Sequence, residues 1–175
     1  KDRENRVKMK VLIVNTSASG GGAAIAALRL MDALRANGAD ARMLVRDCAA
    51  PHEGVTALPQ SPMLRLKFVW ERLVIWLHNR MSRRMLWYVD IANAGTDITR
   101  HPAFLEADVI HLHWVNQGFL SLDQLDRIFQ SGKRIVWTLH DQWPYTGICH
   151  HSVDCTCYQH HCHDCPQLCH PSAKD

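Results

Sequence analysis

The 175-residue chain contains no uninterrupted apolar run of membrane-spanning length. A span needs about 20 apolar residues, and the most apolar long stretch, residues 63–77, is broken by Arg65, Lys67, Glu71 and Arg72. Neither charge is in large excess: 20 Lys and Arg face 17 Asp and Glu, a formal net charge of +3 with His neutral. The strong basic field of a nucleic-acid binder is therefore missing, and no nucleic-acid partner is expected. A secretory leader is not expected either. The charged residues 1–8 run into a short apolar segment and a glycine-rich loop, with no small-residue cleavage pattern. The cytoplasm is the expected compartment, and residues 1–9 are expected to be a flexible extension. No internal repeat is visible, and the length suits one hydrophobic core.

Cysteine is nearly absent from the first 148 residues, where Cys48 stands alone and reads as a small buried apolar residue. The other six cysteines crowd into residues 149–169. In a reducing compartment such a cluster is more often a metal site than a disulfide framework. Aliphatic side chains are scarce over residues 141–175, so this segment cannot build a core of its own. It must be stapled by a metal or disulfides, or lie across the main domain. Cys162-x-x-Cys165 has the spacing of half a structural zinc site, and Cys149 and Cys155 would complete a tetrahedron. Further donors abound: Cys157, Cys169, His150, His151, His160, His161, His163 and His170. Disulfides and free thiols stay open as alternatives.

The rest of the chain alternates strand and helix patterns, which argues for an α/β fold with a doubly wound, mostly parallel sheet of Rossmann type. Residues 10–15 are a continuous apolar run, as in a strand buried on both faces. The loop Thr16-Ser-Ala-Ser-Gly-Gly-Gly22 follows. A helix then places Ala24, Ala27, Leu28, Met31 and Leu34 at helical spacing and stops at Asn37-Gly38. Residues 41–46 are a second strand, residues 51–62 a loop, and residues 63–88 a basic, aromatic helix. A loop over residues 93–102 leads to a strand over 107–113. Ser121 caps the next helix, and residues 134–139 form the last strand. Residues 10–148 are read as one Rossmann-like domain and 149–175 as the Cys/His-rich segment.

Polar residues gather where these strands end. Gly20, Gly21 and Gly22 precede a helix, whose free N–H groups suit a phosphate or diphosphate. The loop lacks the Walker Gly-Lys-Ser/Thr, and Ile25 stands where a dinucleotide fingerprint needs a small residue. Asp47 would match the ribose-binding acid of such a fingerprint. A tight turn without a ligand is the plain alternative. His111, His113 and Asn116 close the third strand, and the alternation puts both histidines on one face. They are candidates for substrate hydroxyls, or else packed and hydrogen-bonded rings. His140 and Asp141 close the last strand, where imidazole and carboxylate can bond sugar hydroxyls. The plain alternative for Asp141 is the cap of the following turn, but the convergence of three strand ends on polar residues favours the functional reading. The helix over 63–88 could lie on an anionic membrane surface. The reading its composition favours is an ordinary surface helix that buries its apolar stripe.

Together these motifs resemble the N-terminal domain of retaining glycosyltransferases of the family-4 type, in the exopolysaccharide and colanic-acid-type branch. The resemblance runs over residues 10–168. It rests on the Gly-Gly-Gly-Ala-Ala loop, Arg100-His-Pro, and Ala107-Asp-Val-Ile-His-Leu-His-Trp-Val-Asn. It rests above all on Val136-Trp-Thr-Leu-His-Asp-Gln-Trp-Pro-Tyr-Thr-Gly, followed by Cys149-His150, Cys155 and Cys162-x-x-Cys165-Pro-Gln-Leu. The resemblance implies the first half of a GT-B fold, whose missing C-terminal domain would hold most of a nucleotide-sugar donor. It implies a glycan or lipid-linked acceptor, transfer with retention, no catalytic metal at the reaction centre, and no activity for this chain alone. Gly21 and Gly22 would lie near the donor diphosphate or acceptor, His140 would touch the transferred sugar, and Asp141 would support it. Two rival readings remain open: a nucleotide-binding enzyme domain of NAD type, and a non-catalytic module responsive to zinc or redox state.

Overall fold

The structure, a computed structural model, describes residues 8–170. Most of the expected N-terminal extension and the last five residues of the Cys/His-rich segment lie outside the described residues. Five parallel strands form one sheet: β1 (Lys10–Ser17), β2 (Asp40–Asp47), β3 (Val55–Ala57), β4 (Val109–Leu112) and β5 (Arg134–Trp137). Their order, β3-β2-β1-β4-β5, reverses direction beside β1. In open α/β sheets this is where ligands bind, beyond the carboxyl ends of the strands.

Helices cover both faces. On one, α1 (Gly22–Ala36) packs Ala27 and Met31 onto Val11, Ile13, Met43 and Val45. On the other, α2 (Pro62–His78), α3 (Pro102–Glu106) and α4 (Leu122–Phe129) bring Leu64, Phe104, Leu125 and Ile128 onto Leu12, Val14, Leu44, Ile110 and Leu112. The alternation of odd and even positions along β1 therefore divides two cores. Ser121 caps α4 in a reciprocal box: its side chain accepts from the Gln124 backbone N–H, and Gln124 Oε1 accepts from the Ser121 N–H.

The loop expected over 93–102 is present, and it leads into α3, to which no expectation was attached and which His101 caps by accepting from the Ala103 N–H. Two expectations need correction. The 51–62 loop contains β3, whose three residues are held by pairing with β2 rather than by any apolar run of their own. The helix expected over 63–88 ends at His78. Asn79 is fully buried there: its carboxamide donates to Arg84 O and accepts from Cys169 N–H, while Arg80 and Met81 take positive φ. A buried amide so engaged stops the helix more firmly than its aromatic composition continues it.

The Cys/His-rich segment lies across the main domain. Cys149 bridges Val89 in antiparallel fashion, and Cys149 and Leu168 pack with Ile75 and Val89 in a third small core.

Candidate active site at the strand ends

The ends of β1, β4 and β5 are laced together by side chains. Asn15, buried on β1, accepts from the Trp114 N–H at 2.9 Å and donates to Ser17 O at 2.7 Å. Thr16 donates to the backbone carbonyls of Trp114 and Asn116. The Trp137 indole N–H, on β5, donates to His113 O. These bonds fix where the chain leaves each strand.

Three imidazoles stand in a row on this edge. The rings of His111 and His113 are 4.7 Å apart, and those of His113 and His140 are 5.0 Å apart. His111 Nε2 lies 2.8 Å from the Thr138 hydroxyl, and His113 Nδ1 lies 2.8 Å from His140 Nε2. Burial, followed by the nearby imidazoles, lowers the pKa of His113 to about 4. Burial also lowers His111, as His140 does to a smaller degree. Burial lowers His140, although Asp141 pulls the other way. The row is therefore neutral at pH 7. His113 Nε2 is buried without a partner. A buried N–H left without an acceptor costs about 1–3 kcal/mol. The proton of His113 is cheaper on Nδ1, from which it donates to His140 Nε2. His140 then carries its own proton on Nδ1. Asn116 adds a second buried group without a partner, its amide Nδ2.

Asp141 is engaged on both oxygens. Oδ1 accepts from the Trp143 N–H at 3.0 Å, and Oδ2 from the Trp114 indole at 2.8 Å and from His150 Nδ1 at 2.7 Å. Asp141 is held charged: His150 is the chief cause of its lowered pKa, against the opposing effect of burial. Behind it runs a buried ion network that the residue pattern did not reveal. His150 Nε2 is 3.5 Å from Asp90 Oδ2, and Asp90 Oδ1 is 3.0 Å from Arg72. His150 is raised to about 9 by its hydrogen bonds to Asp141 and Asp90, although burial opposes this. Glu71 is raised to about 8, first by burial and then by its hydrogen bond to Asp90. Two cations, Arg72 and His150, thus face two carboxylates, Asp90 and Asp141, with Glu71 protonated. Net neutrality makes such burial tolerable. The available signal was weak: Glu71, the one acidic residue of a basic, aromatic helix, next to Arg72.

The glycines occupy the same edge of the sheet, after β1. Gly21 precedes α1 at φ 85° with no side-chain cap, so the first N–H groups of α1 are free of a side-chain acceptor. A Cβ added at Gly20, Gly21 or Gly22 would meet nothing within 4 Å, so the loop is open. Asp47, the expected ribose acid, is paired with Arg46, which also donates to Gln117 O. The structure thus gathers His111, His113 and His140, and sets Asp141 behind them.

Cys149, Cys155, Cys157, Cys162 and Cys165 line one small pocket with Gly147 and Pro166. Cys169 points elsewhere, to the Ser82 hydroxyl at 3.5 Å. Five thiols around one pocket have the chemistry of a zinc site. Yet among the described residues no three His, Cys, Asp or Glu side chains are gathered closely enough to hold an ion, and none of the cysteines forms a disulfide.

One curated protein is similar in part. A stretch of 71 residues, 40% of this chain, is 31% identical to WcaC of Escherichia coli (strain K12), whose name assigns it as a glycosyl transferase of colanic acid biosynthesis. The stretch covers 18% of that protein's length. No protein-family profile and no solved structure matches the chain. This similarity supports a glycosyltransferase relationship.

Proposed function

We propose that the chain is the acceptor-side, N-terminal part of a retaining glycosyltransferase of GT-B architecture, of the family-4 type. It would act with a second domain that holds a nucleotide-sugar donor, on a glycan or lipid-linked acceptor. The observation that carries this reading is the neutral imidazole row at the ends of neighbouring parallel strands, on the sheet edge that also bears the uncapped start of α1.

In this reading His140 presents Nδ1–H to a hydroxyl of the transferred sugar, and His113 sets that tautomer from behind. Neutral rings can bond hydroxyls without trapping the phosphate anion in the ground state. The open N–H groups after Gly21 and Gly22 stabilise the departing diphosphate as its charge grows. Asp141 does not meet substrate. It positions the 140–143 turn through Trp114, Trp143 and His150. The acceptor oxygen bonds to the anomeric carbon on the face that the diphosphate leaves, and the acceptor proton leaves with the diphosphate.

Zinc, if bound, would be held by thiols drawn together from Cys149, Cys155, Cys162 and Cys165, with Cys157 in reach of the same pocket. It would cross-link the segment only, and no part of the transfer runs through it.

The test is turnover of nucleotide sugars by the protein with its remaining chain restored, the product anomer being read by NMR. His140→Ala should lower kcat by about 10²–10³, with retention in the wild type. Inversion, or an unchanged rate in the variant, refutes the reading.

A further inference from the structure

The helix α2 turns its charges inward. Its buried positions are Leu64, Glu71, Arg72 and Ile75, so the ion network faces the domain. Met63, Leu66, Trp70, Leu73 and Leu77 lie on the opposite side, and their exposure runs from 38% at Leu73 to 62% at Leu66. The stripe expected to be buried is therefore the outer surface. Nor can α2 roll to hide it. Glu71 Oε1 accepts from the Ile91 and Ala92 N–H groups, and Arg72 donates to Leu86 O and Val89 O. On the inner side Gly118, at φ 74°, lets the 116–119 loop touch the helix backbone. A Cβ there would lie 2.8 Å from Phe68 N.

The stripe residues follow one another at steps of three, four, three and four, which is the a/d seam of a heptad repeat. The e and g positions that flank this seam are Lys67, Val69, Val74 and Trp76. Lys67, the one charge among them, donates to Thr96 Oγ1 at 3.0 Å. A helix that chose its partner by charge would find nothing here to pair with. A second copy brings the same uncharged seam. In an antiparallel two-fold pair, Leu66 and Trp70 of one protomer lie opposite Leu77 and Leu73 of its partner, and Lys67 lies beside the partner's Val74. Sliding the pair to set Leu66 opposite Trp70 would place the two Lys67 side by side, so like-charge repulsion selects the first register. The helix is 17 residues long, or about 25 Å. Two such faces in contact cover on the order of 1,000 Å² in total, the lower end of specific interfaces.

We infer that the exposed face of α2 is a dimer surface, on which two copies of this chain pair through antiparallel α2 helices. The contact is isologous and closes on itself, so it stops at a dimer. No helix among the described residues is long and apolar enough to cross a membrane, so the stripe is not part of a span. The inference is independent of the sugar-transfer reading.

Sedimentation velocity of the protein with its remaining chain restored should show a monomer–dimer equilibrium in the micromolar range. Leu73→Glu and Trp70→Lys, each alone, should weaken it at least about thirtyfold, since each sets a charge against an apolar side chain. An equimolar mixture of the two variants should dimerise more tightly than either alone, because the introduced carboxylate and ammonium then face each other across the seam. The replaced side chains are exposed in the monomer, and circular dichroism checks that each variant stays folded. Leu66→Ser, a milder change on the same seam, takes the place of a variant that does not. A wild-type protein that stays monomeric at hundreds of micromolar overturns the proposal. So does a dimer that none of these changes weakens, or a mixture that recovers nothing. Pelleting with lipid vesicles by a protein that never dimerises also overturns it, and assigns the face to a membrane.

Discussion

At the scale of single residues, the His113 ring carries the sharpest prediction. Its pKa is lowered to about 4, by burial first and then by His111 and His140. An exposed imidazole titrates near 6.5, at about one proton per ring. The Cε1–H resonance of His113 should therefore hold still from pH 7 to pH 5. For stability the sign follows from proton uptake. Between 4 and 6.5 the unfolded chain binds the proton and the folded chain does not. The neutral ring's stabilising contribution is thus complete above 6.5 and is lost as pH falls toward 4. His111 and His140, shifted in the same direction, steepen that acid limb. A His113 resonance that titrates near 6.5 would remove the neutral row. The sequence placed His111 and His113 on one strand face by simple alternation. That His140 would close the row through Nε2 was not legible, because a bond across 27 residues depends on how β4 and β5 pair.

At the scale of elements, α2 and the 89–92 segment are held by one shared proton. Glu71, raised to about 8, stays protonated against Asp90 beside Arg72, with His150 on the far side of Asp90. Between about 4.5 and 8 the folded state binds this proton and the unfolded state does not. Stability from Glu71 is then fullest at low pH and falls as pH rises through 8. Glu71→Gln copies the protonated form. It should flatten that decline, which amounts to a few kcal/mol on the order expected for such a shift, while keeping the bonds to Ile91 and Ala92. Thermal melts of both proteins from pH 5 to pH 9 decide this, and identical slopes would refute the protonated Glu71. Element types were largely legible here because β1 is a continuous apolar run, α1 keeps helical spacing and α4 carries a cap. The short β3 and the end of α2 were not, because pairing with β2 and the buried Asn79 made those decisions.

At the scale of the whole molecule, the question is what ties the Cys/His-rich segment down. Apolar contact is small, limited to Cys149, Leu168 and their neighbours against Ile75 and Val89. If zinc supplies the remainder, purified protein should contain about one zinc per chain, as a structural site of this kind does. A strong chelator should then lower the melting temperature and expose thiols to a thiol reagent. Absence of metal together with full thiol reactivity and an unchanged melt would show that packing alone suffices. The sequence identified the crowd of donors. It could not say which thiols share a pocket, and the structure brings Cys157 in and sends Cys169 to Ser82.

The order of β1, α1, β2, β4, α4 and β5, the polar character of the strand ends and the capping of α4 were determined by the sequence alone. Each follows from local periodicity, turn chemistry or side-chain reach. The tertiary structure alone decided that Asp141 and His150 belong to an ion network with Asp90, Arg72 and Glu71. It alone decided that α2 turns these charges inward and its apolar stripe to solvent. Periodicity gives a helix two faces but does not say which one is buried. That choice was made by backbone N–H and carbonyl groups of distant loops, whose need for partners outweighed the burial of one more apolar stripe.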